Sequence, residues 1–169
     1  ASSSSFGGPG RGSSSQLGRP GTELRELELA DDGSYLLAQL ASGPEVWRQR
    51  GIELETVQAF APEERVRLYR GDSVLLWGEL GLSVVELVSG RHSAALLERS
   101  DELRSAQIAC HPFSRAVVVF GPFGAYWLDL AAGEQRRIVS EGVARVRFAP
   151  DGTAFLLDAT LYRSADGAR

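Results

Sequence analysis

The sequence contains no lysine, no asparagine and no methionine, and has one cysteine and two histidines in 169 residues. All 18 basic residues are arginine. Lysine, asparagine, methionine and isoleucine have AT-rich codons, and isoleucine occurs only at Ile52, Ile108 and Ile138. This bias points to a GC-rich genome of bacterial type. A chain that starts at Ala1 without methionine reads as a processed, excised or partial product. A single thiol, Cys110, excludes an intrachain disulfide and a multi-cysteine metal site. A disulfide-dependent secreted scaffold is thereby excluded, while one thiol leaves the redox compartment open; the compartment is unknown, with the cytoplasm favoured. No apolar run reaches the ~18 residues of a membrane span, and no charged n-region followed by an apolar stretch opens the chain.

A large excess of one charge sign is also lacking. The formal net charge is −4 and the pI about 5.3, with arginines scattered singly or in pairs such as Arg136-Arg137. Neither a nucleic-acid footprint nor a membrane-binding patch is expected from this balance.

Residues 1–22 are dominated by serine, glycine and proline (Ser2-Ser3-Ser4-Ser5, Gly7-Gly8-Pro9-Gly10, Arg19-Pro20-Gly21). They read as a flexible linker, because such a composition buries too little apolar surface to offset ordering entropy. A linker placed there implies a further domain upstream. From residue 23 the chain changes to short apolar runs split by turn signals, such as Asp32-Gly33, Gly71-Asp72, Ser89-Gly90, Gly133-Glu134 and Asp151-Gly152. Runs of this length and spacing predict an all-β fold.

The runs repeat with one grammar. A strand leads to a turn, a second strand, a short loop, and a third strand ending at a glycine; a fourth strand follows. The third-strand glycines are Gly51, Gly90, Gly133 and Gly167. Their period of about 40 residues is that of four-stranded propeller blades. The predicted blades cover 23–60, 63–99, 103–140 and 143–169, the last without its fourth strand.

Phe148-Ala149-Pro150-Asp151-Gly152 resembles the motif that closes the first blade strand in WD40-like and TolB-like β-propellers. Tyr126-Trp127-Leu128-Asp129-Leu130 followed by Gly133-Glu134 is similar to their third strand. The resemblance covers about 24–169 and implies a β-propeller segment of about four antiparallel meanders. The Gly-His pair and terminal Trp-Asp dipeptide of the strict WD40 pattern are missing. An open stack of blades exposes two apolar faces and an unpaired edge, so further blades or another chain are expected to cover them.

No residue set carries catalysis or binds a cofactor or metal. His111 sits in a turn beside Pro112 and Cys110 precedes it in a strand; neighbours along a strand point to opposite faces, which separates the two as ligands. No Gly-x-Ser-x-Gly elbow is present, neither His92 nor His111 has an evident acid partner, and Asp31-Asp32 reads as turn chemistry. The glycine-rich start neither follows a strand nor opens a helix, so it fails the test for a phosphate loop. Arg70-Gly71-Asp72 matches an integrin-read tripeptide but occupies a repeat turn. Trp47, Trp77 and Trp127 lie on strands and are expected between blades.

The candidate partner contacts are Phe123, at the tip of Gly121-Pro122-Phe123-Gly124, with Leu82 and Pro44 beside the corresponding loops of other blades. Those loops, after Leu40, Trp77, Phe120 and Leu157, emerge on the end of a propeller that commonly binds partners, where aromatic anchors are favoured. The expected function is a non-catalytic scaffold that binds a protein, or further blades of its own protein. Two alternatives stand beside it: the propeller portion of a multidomain enzyme, such as one that gates a hydrolase, and a self-assembling half-propeller.

Overall fold

The computed structural model describes residues 23–30, 32–78, 81–93, 97 and 101–169. The expected linker at 1–22 lies outside the described residues. Among the described residues fourteen strands form four separate antiparallel meanders. Sheet 1 holds β1 (Leu24–Leu29), β2 (Tyr35–Leu40), β3 (Gly43–Arg50) and β4 (Glu53–Ala59). Sheet 2 holds β5 (Arg65–Tyr69), β6 (Ser73–Gly78) and β7 (Gly81–Glu86). Sheet 3 holds β8 (Gln107–Cys110), β9 (Ala116–Gly121), β10 (Gly124–Asp129) and β11 (Glu134–Val139). Sheet 4 holds β12 (Val146–Phe148), β13 (Ala154–Leu157) and β14 (Thr160–Arg163).

Turn chemistry sets these meanders. Gly51, Gly90, Gly133 and Gly167 all have φ between +63° and +71°, the left-handed region that a side chain resists. After the first strand of sheet 4, the Asp151 carboxylate accepts from Thr153 N at 3.0 Å and Thr153 Oγ1 at 2.9 Å, which holds it below the usual carboxylate range. Asp32 does the same with Ser34 Oγ and Ser34 N in sheet 1. The corresponding turn of sheet 3 has no aspartate. His111 Nδ1 takes the acceptor role there, receiving Phe113 N at 2.9 Å and Ser114 N at 2.7 Å.

The expected fourth strand of sheet 2, Ser93 to Glu98, lies partly outside the described residues. Within it Leu97 makes an isolated bridge to Leu82, and just before it His92 makes one to Val85. Before β8 a 3-10 turn, Asp101–Ser105, buries Leu103 in the core between sheets 2 and 3.

The sheets stack face to face in chain order. Three apolar clusters fill the three junctions, with Leu37, Val46, Val66, Val74 and Val85 in the first. Leu75, Trp77, Ile108, Val117 and Val119 lie in the second. Val118, Phe120, Trp127, Phe155 and Leu157 lie in the third. Strand alternation explains the division: Val118 faces forward to sheet 4 while Val117 and Val119 face back to sheet 2. Each inner sheet is therefore apolar on both faces, and β9 is buried along its whole length. This is the all-β, propeller-like arrangement that the repeat predicts.

Polar groups pin the junctions. Arg70 Nη2 donates to His111 O at 3.2 Å, and His111 Nε2 donates to Gly152 O at 2.8 Å. Each contact spans 41 residues, so one turn position ties sheet 2 to sheet 3 and sheet 3 to sheet 4. At the other end of sheets 2 and 3 Trp77 Nε1 donates to Ala106 O, and beside the Asp151–Thr153 turn of sheet 4 Trp127 Nε1 donates to Ser164 O. Both tryptophans fill junctions, as expected for aromatics on these strands.

Candidate interaction surfaces

The strand registers place every residue on either the leading face of its sheet, toward the following sheet, or the trailing face. In each sheet the first rung between second and third strands is Tyr35↔Arg48, Ser73↔Glu86, Ala116↔Asp129 or Ala154↔Arg163. Two rungs further, on the same leading face, lie Leu37↔Val46, Leu75↔Val84, Val118↔Trp127 and Leu156↔Leu161. The first three pairs sit inside junctions. In sheet 4 the same pair is open: Leu156 is 41% exposed and Leu161 61%. Arg147 stands opposite Leu156 on this face, and Arg163, two residues beyond Leu161, is paired with Asp166 at 2.9 Å.

Among the described residues no sheet packs on the trailing face of sheet 1 either. Leu27 pairs with Ala38 and Leu29 with Leu36, while Glu26 and Glu28 point the opposite way, toward sheet 2. Glu28 confirms the assignment by accepting from Leu68 N and pairing with Arg67. Ala38, Leu40 and Trp47 form a small cluster of their own on the trailing face, with Leu36 and Leu54 against it. Beside it Leu24, Leu27 and Leu29 are 42%, 48% and 58% exposed. Glu45 is on this face too, and its carboxylate accepts the Trp47 indole N–H at 2.9 Å. Contiguous exposed leucines of this kind mark contact surfaces.

The three residues expected as partner contacts are placed elsewhere. Phe123 is buried in the junction between sheets 2 and 3 and is no exposed anchor. Its ring folds back over Gly121, within 2.8 Å of where a Cβ would stand there, and Tyr126 packs beside it. The glycines flanking the loop were the available signal, since Gly121 leaves room for the ring. Leu82 is fully buried on β7 in the same junction. Pro44 is buried on β3, where its carbonyl accepts Phe60 N at 2.9 Å. The loop end of the sheets offers little side chain in their place. Leu40↔Gly43, Gly121↔Gly124 and Leu157↔Thr160 each close a loop of two residues.

The remaining candidates are structural. Cys110 is largely buried, which pushes its thiol up and away from reactivity at neutral pH. His92 is exposed on its bridge to β7, and His111 is held in its turn. Arg70 of the Arg-Gly-Asp tripeptide is committed to His111 O. Among the described residues no three His, Cys, Asp or Glu side chains converge as a metal site, and no helix is long and apolar enough to cross a membrane. A groove of about 550 Å³ runs between β11 and the end of sheet 4, lined by Trp127, Glu134, Gln135, Arg136, Ala165 and Asp166. Arg136 crosses it to donate to Asp166 O at 3.0 Å.

No protein-family profile matches the chain, and no curated protein matches it in sequence. Among solved structures the chain is similar to the tricorn protease, with 14% identity and a TM-score of 0.51. That match covers 88% of this chain and 16% of the protease, so the chain spans about one sixth of the protein it resembles. A second similar structure is Hsv2 of Kluyveromyces lactis, at 10% identity and a TM-score of 0.35, covering 84% of this chain and 60% of that one.

Proposed function

We propose that this chain is a non-catalytic interaction segment of a β-propeller, of the WD40-like or TolB-like kind, that binds protein through its two uncovered sheet faces. One observation carries the reading. A leading-face position buried in three successive sheets, at Leu37, Leu75 and Val118, is exposed in the fourth at Leu156. The sequence has thus kept an apolar residue where water now stands, and covering it is favourable by about 25 cal/mol per Å² of apolar surface. The loop end expected to bind partners supports this less well, because its loops are short and its one aromatic, Phe123, is turned inward.

The test is capture by the immobilised full chain, compared with a Leu27→Arg/Leu161→Arg double variant. Both side chains are exposed, so the fold should survive the change. Partners retained by the native chain and lost from the variant support the reading. Equal capture by both moves the binding site off the sheet faces and overturns it.

A further inference from the structure

We infer that His111 is an acid-operated clasp, whose neutral ring ties sheet 4 to sheet 3 and whose protonated ring lets that tie go. The inference is independent of the sheet-face reading and concerns a junction inside the stack.

The bonds of the ring fix its protonation state. Nδ1 receives two backbone N–H groups, Phe113 N at 2.9 Å and Ser114 N at 2.7 Å, so it holds a lone pair and no proton. The proton of the neutral ring is therefore on Nε2, which lies 2.8 Å from Gly152 O. Gly152 makes that reach possible, since a Cβ there would stand 2.7 Å from His111 Cε1 and 2.9 Å from Nε2. Phe148 and Phe113 stand edge-on to the ring. A second proton goes to Nδ1, directly against the two N–H groups already there. It strengthens the Nε2 bond to Gly152 O but abolishes both Nδ1 bonds and sets N–H against N–H, so the loss outweighs the gain. His111 is half-buried, with a short path to water. The charged ring leaves the turn by that path, and the bond to sheet 4 goes with it.

The surrounding charges do not offset this. Arg70 of sheet 2 donates to the carbonyl of His111 itself, and Arg115 lies in the same turn. The carboxylates of the neighbouring turns are engaged, Asp151 with Thr153 and Asp129 with Ala131 N and Ala132 N. Cys110 and Tyr69 lie in the junction of sheets 2 and 3, and Arg147 is on the far face of sheet 4. Sheet 2 is tied to sheet 3 by Arg67 and Arg70, and arginine keeps its charge throughout. Asp32 and Asp151 are held below the usual carboxylate range, so they stay ionised after an ordinary histidine has gained its proton. Acid therefore acts first at one junction, loosening sheet 4 from a stack that otherwise holds.

Nuclear magnetic resonance on the full chain tests the clasp, with the exposed His92 as internal reference. Long-range proton–nitrogen spectra at neutral pH should show His111 with its proton on Nε2. On acidification the Phe113 and Ser114 amide signals should move in step with the His111 ring, while Leu68 of sheet 2 stays in place. Amide exchange in sheet 4, normalised to sheet 2, should rise roughly tenfold once the ring is charged, the worth of about one hydrogen bond. His111→Asn keeps a side-chain acceptor for the turn and does not titrate, so its exchange ratio should not vary with pH. His92→Asn should behave as the native chain does. A His111 ring protonated on Nδ1 at neutral pH, or one that gains its second proton with both amides unmoved, overturns the clasp. So does an exchange ratio that is flat with pH in the native chain, or that changes equally in His111→Asn.

Discussion

Leu75 and Leu156 occupy the same place in sheets 2 and 4, two rungs along the second strand, each with an arginine opposite on the inner strand. Leu75 is fully buried against sheet 3, whereas Leu156 is 41% exposed. The residue type, strand and register agree, so the difference belongs to the surroundings alone. Burial in this fold is a property of the stack, conferred on a sheet by its neighbours. A sheet with an apolar face on each side is half a junction until another sheet arrives.

Paired substitutions can break the comparison most directly. Leu75→Ala should destabilise the chain by about 2–5 kcal/mol, since it opens a cavity in a packed junction. Leu156→Ala should change stability by less than about 1 kcal/mol in dilute solution, where nothing covers the face. Denaturant unfolding of both variants measures the gap. If the gap narrows as protein concentration rises, the open face has become a junction.

A smaller effect is expected where the sheets differ in backbone. Gly43, Gly81 and Gly124 begin the third strands of the first three sheets with φ of +124°, +103° and +111°. A Cβ on Gly124 would meet the carbonyl oxygen of Val139, and one on Gly43 would stand 2.5 Å from Phe60 O. Sheet 4 has Thr160 at the start of its third strand, and the positive φ moves to Asp158. Gly124→Ala should therefore destabilise by about 2–3 kcal/mol, from strained backbone and a rigid neighbour. Thr160→Ala should stay within about 0.5 kcal/mol. Thermal unfolding of the two variants checks the contrast.

The polar ties come next. His111→Ala removes the acceptor for two backbone N–H groups and the donor to Gly152 O, joining sheets 3 and 4. A loss of about 1–2 kcal/mol is expected, with earlier amide exchange in sheet 4 than in sheet 2. Uniform exchange across the sheets would show that the tie is dispensable.

The strands, their turns and the period were legible in the sequence because each rests on local chemistry. Alternation marks the strands, glycine marks the left-handed turn residue, and the repeat supplies the third-strand frame. The outer surface was not legible in the same way. Phe123 reads as an anchor on a loop tip, yet space over Gly121 lets its ring turn inward. Leu82 and Pro44 sit beside loops in sequence and inside the sheets in space. Conversely, Leu156 and Leu161 look like core residues, and their exposure depends on what stacks against sheet 4. The linking role of His111 was also out of reach, since its donor to Gly152 joins turns 41 residues apart.

The smallest effect concerns Tyr69, which is buried in the junction that Leu75 fills, with its hydroxyl lacking a hydrogen-bond partner. Burial pushes the phenol up to about 12 from an ordinary value near 10, helped by the neighbouring Cys110. The folded chain thus keeps its proton in a range where the unfolded chain has lost it. Unfolding then releases a proton between pH 10 and 12, so stability falls as pH rises through that window and is unaffected below it. Tyr69→Phe keeps the ring and removes both the unpartnered hydroxyl and the titration. Its stability at neutral pH should match or slightly exceed the native value, by less than about 1 kcal/mol. Between pH 10 and 12 its denaturant midpoint should fall less steeply than that of the native chain. Parallel alkaline slopes in the two proteins would place the Tyr69 hydroxyl in contact with water, and with it open the junction that makes Leu75 differ from Leu156.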